Sequence, residues 1–388
     1  MLMRLFWGQK MKIRYFDNAA TTRVDDEIAS IVDRYNREEF YNPSATYRPS
    51  VEIHNLISEA REGILRILKG QNGTMYFLSS GTEGDNQALF CTKKRKNSNI
   101  VISAVEHPAI YNSACTLKNL GYELRICPVD QFGRVDQSAF RSLIDPNTAL
   151  ISIMHVNNET GAINDIGALV KTAKNIQPSV LFHSDGVQAF GKVPINLTEL
   201  GVDLYTISGH KIGAPKGIAA LYVKNGVSLS PLLYGGGQEN GMRSSTENVA
   251  GILAFFAAAK RAAIELAANS EQYRSYISSI RLALSEIEEI KYLSDEMCSP
   301  HIFTFAFRNV RGEVMQHALE PSNILIGTGS ACSSRRSHER IPNALGLKEY
   351  ADGIVRISFS RETEAEDVDI LSAELLRNYH ILKKYVGK

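Results

Sequence analysis

The chain reads as an α/β protein, with a large domain around a mainly parallel central sheet and a smaller α+β domain. Three observations predict this. From about residue 70 to 225, short β-rich runs alternate with helical stretches, the pattern of βαβ units. Beyond Thr246 comes a long Ala-rich helical run, followed by mixed strand and helix text. The length, 388 residues, exceeds what one compact core usually serves.

The elements follow in order. "TMYFL" leads into a helix beginning near Glu83, and "NIVISAV" precedes the helical spacing of "AIYNSACTLKNLG" and then "YELRICPV". "TALISIMHV" leads to "IGALVKTAKNI" and "SVLFHSD", while "VDLYTIS" and "GIAALYV" flank a Gly/Pro turn. The run from Thr246 to about Ile290 is predicted to be one long helix bridging the two domains. After it, "HIFTFAF" reads as a strand, Glu313 to Leu319 as a helix, Ile354 to Ser360 as a strand, and the text from Glu364 as a closing helix. The expected division is a large domain over 20–262 and a small domain built from 11–19 and 263–388, which carries Cys332.

Composition excludes some function classes. With 43 Lys and Arg against 42 Asp and Glu, the chain has no charge excess to favour nucleic acid or an anionic membrane surface. Its five cysteines are odd in number, with no CxxC spacing and no paired histidines, which disfavours a disulfide framework or a structural zinc site. No metal is expected, and a reducing cytoplasm is the expected location. The leader "MLMRLFWGQK" is too short and too interrupted by charge for a secretory signal; patterned sequence opens at Met11. Cys91, Cys115 and Cys127 fall in apolar-patterned segments and read as packing residues. Cys332, in "GTGSACSSRR", has only small polar neighbours with Arg335 and Arg336 behind it, and reads as an exposed thiol.

In α/β sheets ligands gather outside the carboxyl ends of the strands, so the residues just after each strand are the informative ones. "SSGTEGDN", holding Gly81 and Thr82, is either an ordinary helix cap or a phosphate seat made of free N–H groups and a positive helix end. No GxGxxG follows the strand, which argues against a dinucleotide. His107 stands at a strand end before a proline, and Asn157 and Asn158 follow "ISIMHV" at the same level. Asp185 ends a hydrophobic strand, where a carboxylate needs a cationic partner: a salt-bridging side chain or a protonated heterocycle nitrogen. Lys211, between Ser208, His210 and a Gly/Pro turn, is either solvated or a desolvated amine suited to Schiff-base chemistry. Taken together, a phosphate turn, a ring neighbour, an acid for a ring nitrogen and an imine-forming lysine describe a pyridoxal 5'-phosphate site.

The same text resembles the cysteine desulfurases, in the class V aminotransferase group of fold-type I pyridoxal-phosphate enzymes. The matching motifs run in family order from "YFDNAATT" through "SGTEGDN", "EHPAI", "MHVNNETGAI", "SDGVQAFGK", "SGHKIGAPKG" and "GGGQENGMRSSTENVAG" to "GTGSACSS" and "VRISFSR". The resemblance implies that Lys211 binds pyridoxal phosphate, Asp185 partners the ring nitrogen, Gln188 neighbours the ring hydroxyl, and His107 stacks on the ring and moves protons. It implies Gly81, Thr82, Ser208 and His210 as phosphate ligands, with Thr246 supplied by the other subunit of a homodimer. Asn158 and Arg356 then hold the substrate carboxylate, and Cys332 is the catalytic cysteine. The implied reaction removes sulfur from L-cysteine, giving L-alanine and a Cys332 persulfide. That sulfur passes to an acceptor protein in iron–sulfur cluster assembly or in tRNA or cofactor thiolation. Ser80 and Ser245 stand where the family usually has glycine, and Tyr47 and Ser50 where histidine and glycine are common. Alternatives are a selenocysteine lyase, another class V enzyme, or a cofactor-binding scaffold paralogue with weak activity.

Overall fold

The computed structural model describes residues 12–329 and 340–385. Strand β1 (Arg14–Phe16) is followed by helices α1 (Asp26–Arg37) and α2 (Arg48–Ile67). Then come β2 (Gly73–Leu78), α3 (Gly81–Phe90), β3 (Asn99–Ser103), α4 (Pro108–Asn119), β4 (Glu123–Cys127), α5 (Gln137–Ser142) and β5 (Thr148–Ser152). The alternation continues with α6 (Ile166–Ile176), β6 (Leu181–Asp185), α7 (Leu197–Leu200), β7 (Leu204–Ser208) and β8 (Ala219–Lys224). The remainder is α8 (Val249–Ala283), β9 (Ile290–Tyr292), β10 (Ile302–Phe307), α9 (Gly312–Leu319), β11 (Ile324–Thr328), α10 (Arg340–Ala344), β12 (Ile354–Ser358) and α11 (Ala365–Lys383).

These strands form a seven-stranded sheet, ordered β2-β8-β7-β6-β5-β3-β4, and a five-stranded sheet, ordered β1-β11-β12-β10-β9. In the first, β7, β6, β5, β3 and β4 run parallel and only β8 opposes its neighbours β2 and β7. The expected mainly parallel sheet is present. Strands β3 and β7 are buried along their whole length, and β5 and β6 at all but one residue each, because helices cover both faces. In the second sheet β1 pairs in parallel with β11 and the other pairings are antiparallel. Among the described residues no helix is long and apolar enough to cross a membrane.

Element ends differ from expectation where side chains capture the backbone. Helix α3 starts at Gly81 because Ser80 Oγ accepts from the Glu83 N–H at 3.1 Å, while Glu83 reaches back to the Ser79 N–H at 2.7 Å. Ser80 has φ −160°, extended backbone open to any residue, so serine at this glycine-rich position carries no torsional cost. Ser245 likewise avoids positive φ. Tyr47, exposed, precedes α2, and Ser50 is buried inside it. Helix α8 begins three residues late because Asn248 caps it, its Oδ1 accepting from the Gly251 N–H at 3.0 Å. It stops short of Ile290 because that residue pairs with Phe307 at the edge of the second sheet. β12 ends at Ser358, before a turn closed by Thr363 N–H on the Ser360 carbonyl, 2.9 Å.

Helix α8 ties the two sheets together. Ile252, Phe255 and Ala258 join the core that covers the seven-stranded sheet, whereas Tyr273, Tyr276 and Ile280 join the core of the five-stranded one. Cys91, Cys127 and Cys298 are buried free thiols and Cys115 is partly buried; burial pushes the Cys127 thiol up to about 12. Cys91 and Cys127 are thus placed as the packing residues expected of them, and Cys115 only in part.

The loop before α8 holds two non-glycine residues at positive φ, Glu239 (50°) and Asn240 (55°). What holds it there is the Glu239 carboxylate, which accepts from Arg61 through both oxygens and from the Phe77 N–H at 2.9 Å. Removing that acceptor leaves the partly buried Arg61 guanidinium with the Met75 carbonyl alone and the buried Phe77 N–H without its acceptor. Glu239→Ala is expected to lower unfolding stability by about 3 kcal/mol, read as a fall in the urea midpoint at unchanged slope.

Candidate active site

The strand ends of the seven-stranded sheet meet one end of the five-stranded sheet, and the sequence-singled residues collect there. Asp185 is the last residue of β6 and 5% exposed. Its Oδ1 accepts from the Val187 N–H at 2.9 Å, a turn that needs Gly186: a Cβ there would sit 2.1 Å from the Tyr205 ring. Tyr205 in turn is fixed by a 2.7 Å hydrogen bond to His155 Nδ1. Burial raises the Asp185 pKa, opposed by the neighbouring His107 ring, by the Val187 N–H and by the Lys211 charge.

His107 caps α4, its Nδ1 accepting from the Ala109 N–H at 3.1 Å. That leaves Nε2 carrying the proton of the neutral ring, and burial first, then the Lys211 charge, keeps the ring neutral against the pull of Asp185. Asp85, His107 and Asp185 bring ligand atoms within 4.8 Å of one another.

Lys211 closes the 3-10 turn after β7, and its Nζ donates to the carbonyls of Ala19 (2.6 Å) and Ala20 (2.8 Å). Two carbonyl oxygens orient the amine without neutralising it. The same strip is stitched to the lysine turn by Thr22: its N–H donates to the His210 carbonyl and its Oγ1 accepts from the Gly213 N–H. Gln188 Nε2 shares the Ala19 carbonyl at 2.9 Å, while its Oε1 lies 3.2 Å from His301 Nε2.

The helix end proposed for phosphate lies beside the other candidate ligands. A Cβ on Gly81 would approach Val187 at 2.9 Å and Ser208 at 3.8 Å, so the head of α3 abuts the ends of β6 and β7. Ser208 is buried. His210, whose Nδ1 lies 3.2 Å from Thr21 Oγ1, is held neutral by burial, with a pKa of about 4. Thr82 is exposed at the helix end. Thr246 is exposed two residues before the α8 cap, and among the described residues no hydrogen bond ties it to this cluster.

Arg356, on β12, donates to the Asn158 carbonyl at 2.8 Å and to Asp17 Oδ1 at 2.7 Å. Its Nε and the Asn158 Oδ1 are buried without a hydrogen-bond partner. Gly327 makes room for the pair, since a Cβ there would lie 2.5 Å from Asp17 Oδ1. Cys332, with Arg335 and Arg336, lies outside the described residues. The residues flanking that segment belong to this corner. Gly327 and Thr328 pair with Arg356 and Val355, and Arg340 donates to the Ala104 and Glu106 carbonyls next to His107.

These groups match the needs of pyridoxal phosphate: an amine on a rigid turn, a carboxylate whose pKa a ring cation would pull back down, a neutral histidine beside them, and a helix head for phosphate. Asp17, Asp85, Glu106 and His301 were not singled out from sequence. Asp17 and Asp85 stand inside quoted motifs, "YFDNAATT" and "GTEGDN", but only the folded chain shows what they touch.

The family model of the class-V aminotransferases matches residues 14–371. The chain belongs to this family, among the cysteine desulfurases. It is 36% identical over 365 residues to the cysteine desulfurase IscS of Dictyoglomus turgidum, covering 92% of this chain and 91% of that protein. It is 35% identical to the cysteine desulfurase IscS of Methanosarcina thermophila, covering 92% and 90%. Among solved structures, a NifS-like protein superposes with a TM-score of 0.89 at 30% identity, covering 96% of this chain and all of that one. The NifS-like protein of Rickettsia africae gives 0.85 at 29% identity, with 95% and 100% covered. SspA, solved in complex with cysteine, gives 0.74 at 27% identity, with 89% and 98% covered. Members of this family are pyridoxal-phosphate enzymes.

Glu106 carries a pH signature. It is wholly buried, accepts from the Met154 N–H at 2.9 Å and from Ser103, and burial lifts its pKa from 4.5 to about 8. A raised folded-state pKa gives stability that is complete below the unfolded value and lost as pH rises through the folded one. Glu106→Gln is therefore expected to gain on the wild type as pH rises from about 4.5 to about 8. The gain has an upper slope of about 1.4 kcal/mol per pH unit. Urea unfolding of both proteins across that range checks it; parallel curves would refute it.

Proposed function

We propose that this protein is a cysteine desulfurase: it removes sulfur from L-cysteine with pyridoxal 5'-phosphate as cofactor, giving L-alanine and a persulfide on Cys332 that passes to an acceptor protein. The observation that carries the reading is the convergence of Lys211, Asp185, His107 and Gln188 on one set of strand ends, with Arg356 beside them. The family membership of the chain supports it independently.

In this reading Lys211 bears the cofactor, Asp185 faces its ring nitrogen, Gln188 its ring hydroxyl, and His107 one ring face. Gly81, Thr82, Ser208 and His210 take the phosphate, completed by Thr246 from a second copy in a homodimer. The cofactor, when bound, would supply an electron sink that acidifies the substrate Cα and loosens the Cβ–S bond. The chain does the rest. Arg356, steadied by Asp17, binds the substrate carboxylate with Asn158, its buried Nε being a donor without a protein partner. Lys211 Nζ takes the Cα proton, and the His107 Nε2 proton serves the atoms near the ring. The Cys332 thiolate attacks the substrate sulfur: an S–S bond forms, the Cβ–S bond breaks, and the three-carbon product leaves as alanine after protonation. We assign 20–262 to a large domain and 11–19 with 263–388 to a small one, and place the protein in a reducing cytoplasm. The acceptor belongs to iron–sulfur cluster assembly or to tRNA or cofactor thiolation.

Purified protein is expected to be yellow and to release sulfide and alanine from L-cysteine when a reductant is present. Lys211→Ala should lose the visible absorbance and the activity together. Cys332→Ala should keep the absorbance and lose at least about a hundredfold in sulfide release. Full sulfide release from Cys332→Ala would sink the persulfide step, and a protein that takes up no pyridoxal phosphate would sink the whole reading.

A further inference from the structure

Asp85 has no role in the chemistry above, yet its carboxyl group is buried beside the carboxylate that has. It sits in α3 at 1% exposure, with an oxygen inside the 4.8 Å cluster formed with Asp185 and His107. No lysine or arginine forms an ion pair with it among the described residues. The basic group that approaches is His183 Nε2, 3.7 Å from Asp85 Oδ1, and burial holds that ring neutral, at about 3. Asp85 Oδ1 itself lacks a hydrogen-bond partner, while the Thr206 side chain serves the carboxyl group.

The surrounding hydrogen bonds run in one direction. Ser152 Oγ lies 2.9 Å from His183 Nδ1, and His183 Nε2 lies 2.9 Å from Thr206 Oγ1. With the proton on Nε2, Ser152 donates to His183, His183 donates to Thr206, and the Thr206 hydroxyl is left to donate to Asp85. Two adjacent carboxylates in a dry site cannot both ionise, so the pair holds one proton. The charged and titratable groups that face the pair decide where it sits. Asp185 on β6 has His107, Lys211 and the Val187 N–H favouring its anion. Asp85 faces Asp185 on β6, whose charge opposes its anion, and Glu106 just before α4, which opposes it once ionised; neutral His183 and the Thr206 hydroxyl, the latter favouring the anion, make up the rest of its shell.

We propose that Asp85 is a positioning residue for Asp185: it keeps the shared proton and donates it in a hydrogen bond to the Asp185 carboxylate, orienting that group and spreading the negative charge it presents to a ring nitrogen. The second half of this statement rests on the cofactor reading above; the location of the proton does not.

Asparagine mimics protonated Asp85 in polarity, with an NH2 to donate to Asp185 and a carbonyl to accept from Thr206, whereas alanine does neither. Infrared spectra of the full-length purified protein, labelled with 13C-aspartate, are expected to show a neutral carboxylic acid carbonyl stretch at pH 7 that Asp85→Asn abolishes. A wild type without that band, or a band that survives in Asp85→Asn, overturns the assignment. This readout needs no bound cofactor, so it decides on Asp85 even if pyridoxal phosphate fails to bind and the functional reading falls. In cofactor-loaded protein, Asp85→Ala is expected to shift the pH midpoint of the visible absorbance by about one unit and to weaken cofactor binding about tenfold. Asp85→Asn should stay within about twofold of wild type. Equal shifts in the two variants would show that Asp85 only fills space, and if the alanine variant does not fold, a tenfold loss in the asparagine variant counts against the proposal in the same way.

Discussion

A carboxylate at the inner end of a buried parallel strand is the constraint on which this structure turns. Asp185 cannot meet water, and a lone anion in such a place is too costly to keep. Its surroundings answer that cost piece by piece. A turn N–H from Val187 holds one oxygen, a lysine and a histidine supply favourable potential, and a second acid shares the space. The turn that permits this depends on glycine at 186, because the Tyr205 ring occupies the volume where a side chain would go. A site in which the carboxylate's charge is only partly compensated is one ready to receive a cation.

The strip from Asp17 to Thr22 makes one centre from two sheets. It leaves β1 in the five-stranded sheet and crosses the strand ends of the other. There the Ala19 carbonyl receives both Lys211 and Gln188, and Thr22 is bound to the turn that carries the lysine. Asp17, at its start, aims Arg356. The strip is held in place by Ser358, whose Oγ accepts from the Ala19 N–H at 2.8 Å and whose carbonyl accepts from Asn18 Nδ2 at 2.9 Å. Movement of the second sheet against the first would therefore displace the lysine anchor and the carboxylate clamp together, which links packing at the α8 bridge to the geometry of the reacting groups.

The positions of Lys211, Asp185 and His107 were legible because each follows an apolar run whose end is readable as a strand terminus, and polar residues just beyond such ends face the ligand crevice. The parallel sheet was legible for the same reason, since alternating strand and helix text allows few topologies. Element ends were less so: Ser80 and Asn248 set helix starts by hydrogen bonds that periodicity does not encode, and Ile290 joined a strand because an edge was available to it. Family likeness added Arg356, which no local pattern marks, and gave a role to Asn158, which the end of its strand had already marked.

By itself, then, the order of apolar runs and the residues closing them determined the fold class, the family and the candidate chemistry, because those depend on local periodicity and on side-chain type. Only the tertiary structure decided which groups share a proton, which carbonyls orient the lysine, and that Asp17 serves Arg356 across 339 positions of chain. Ionisation and orientation depend on distances between segments remote in sequence and on how completely water is excluded between them. Those quantities exist only once the two sheets have packed.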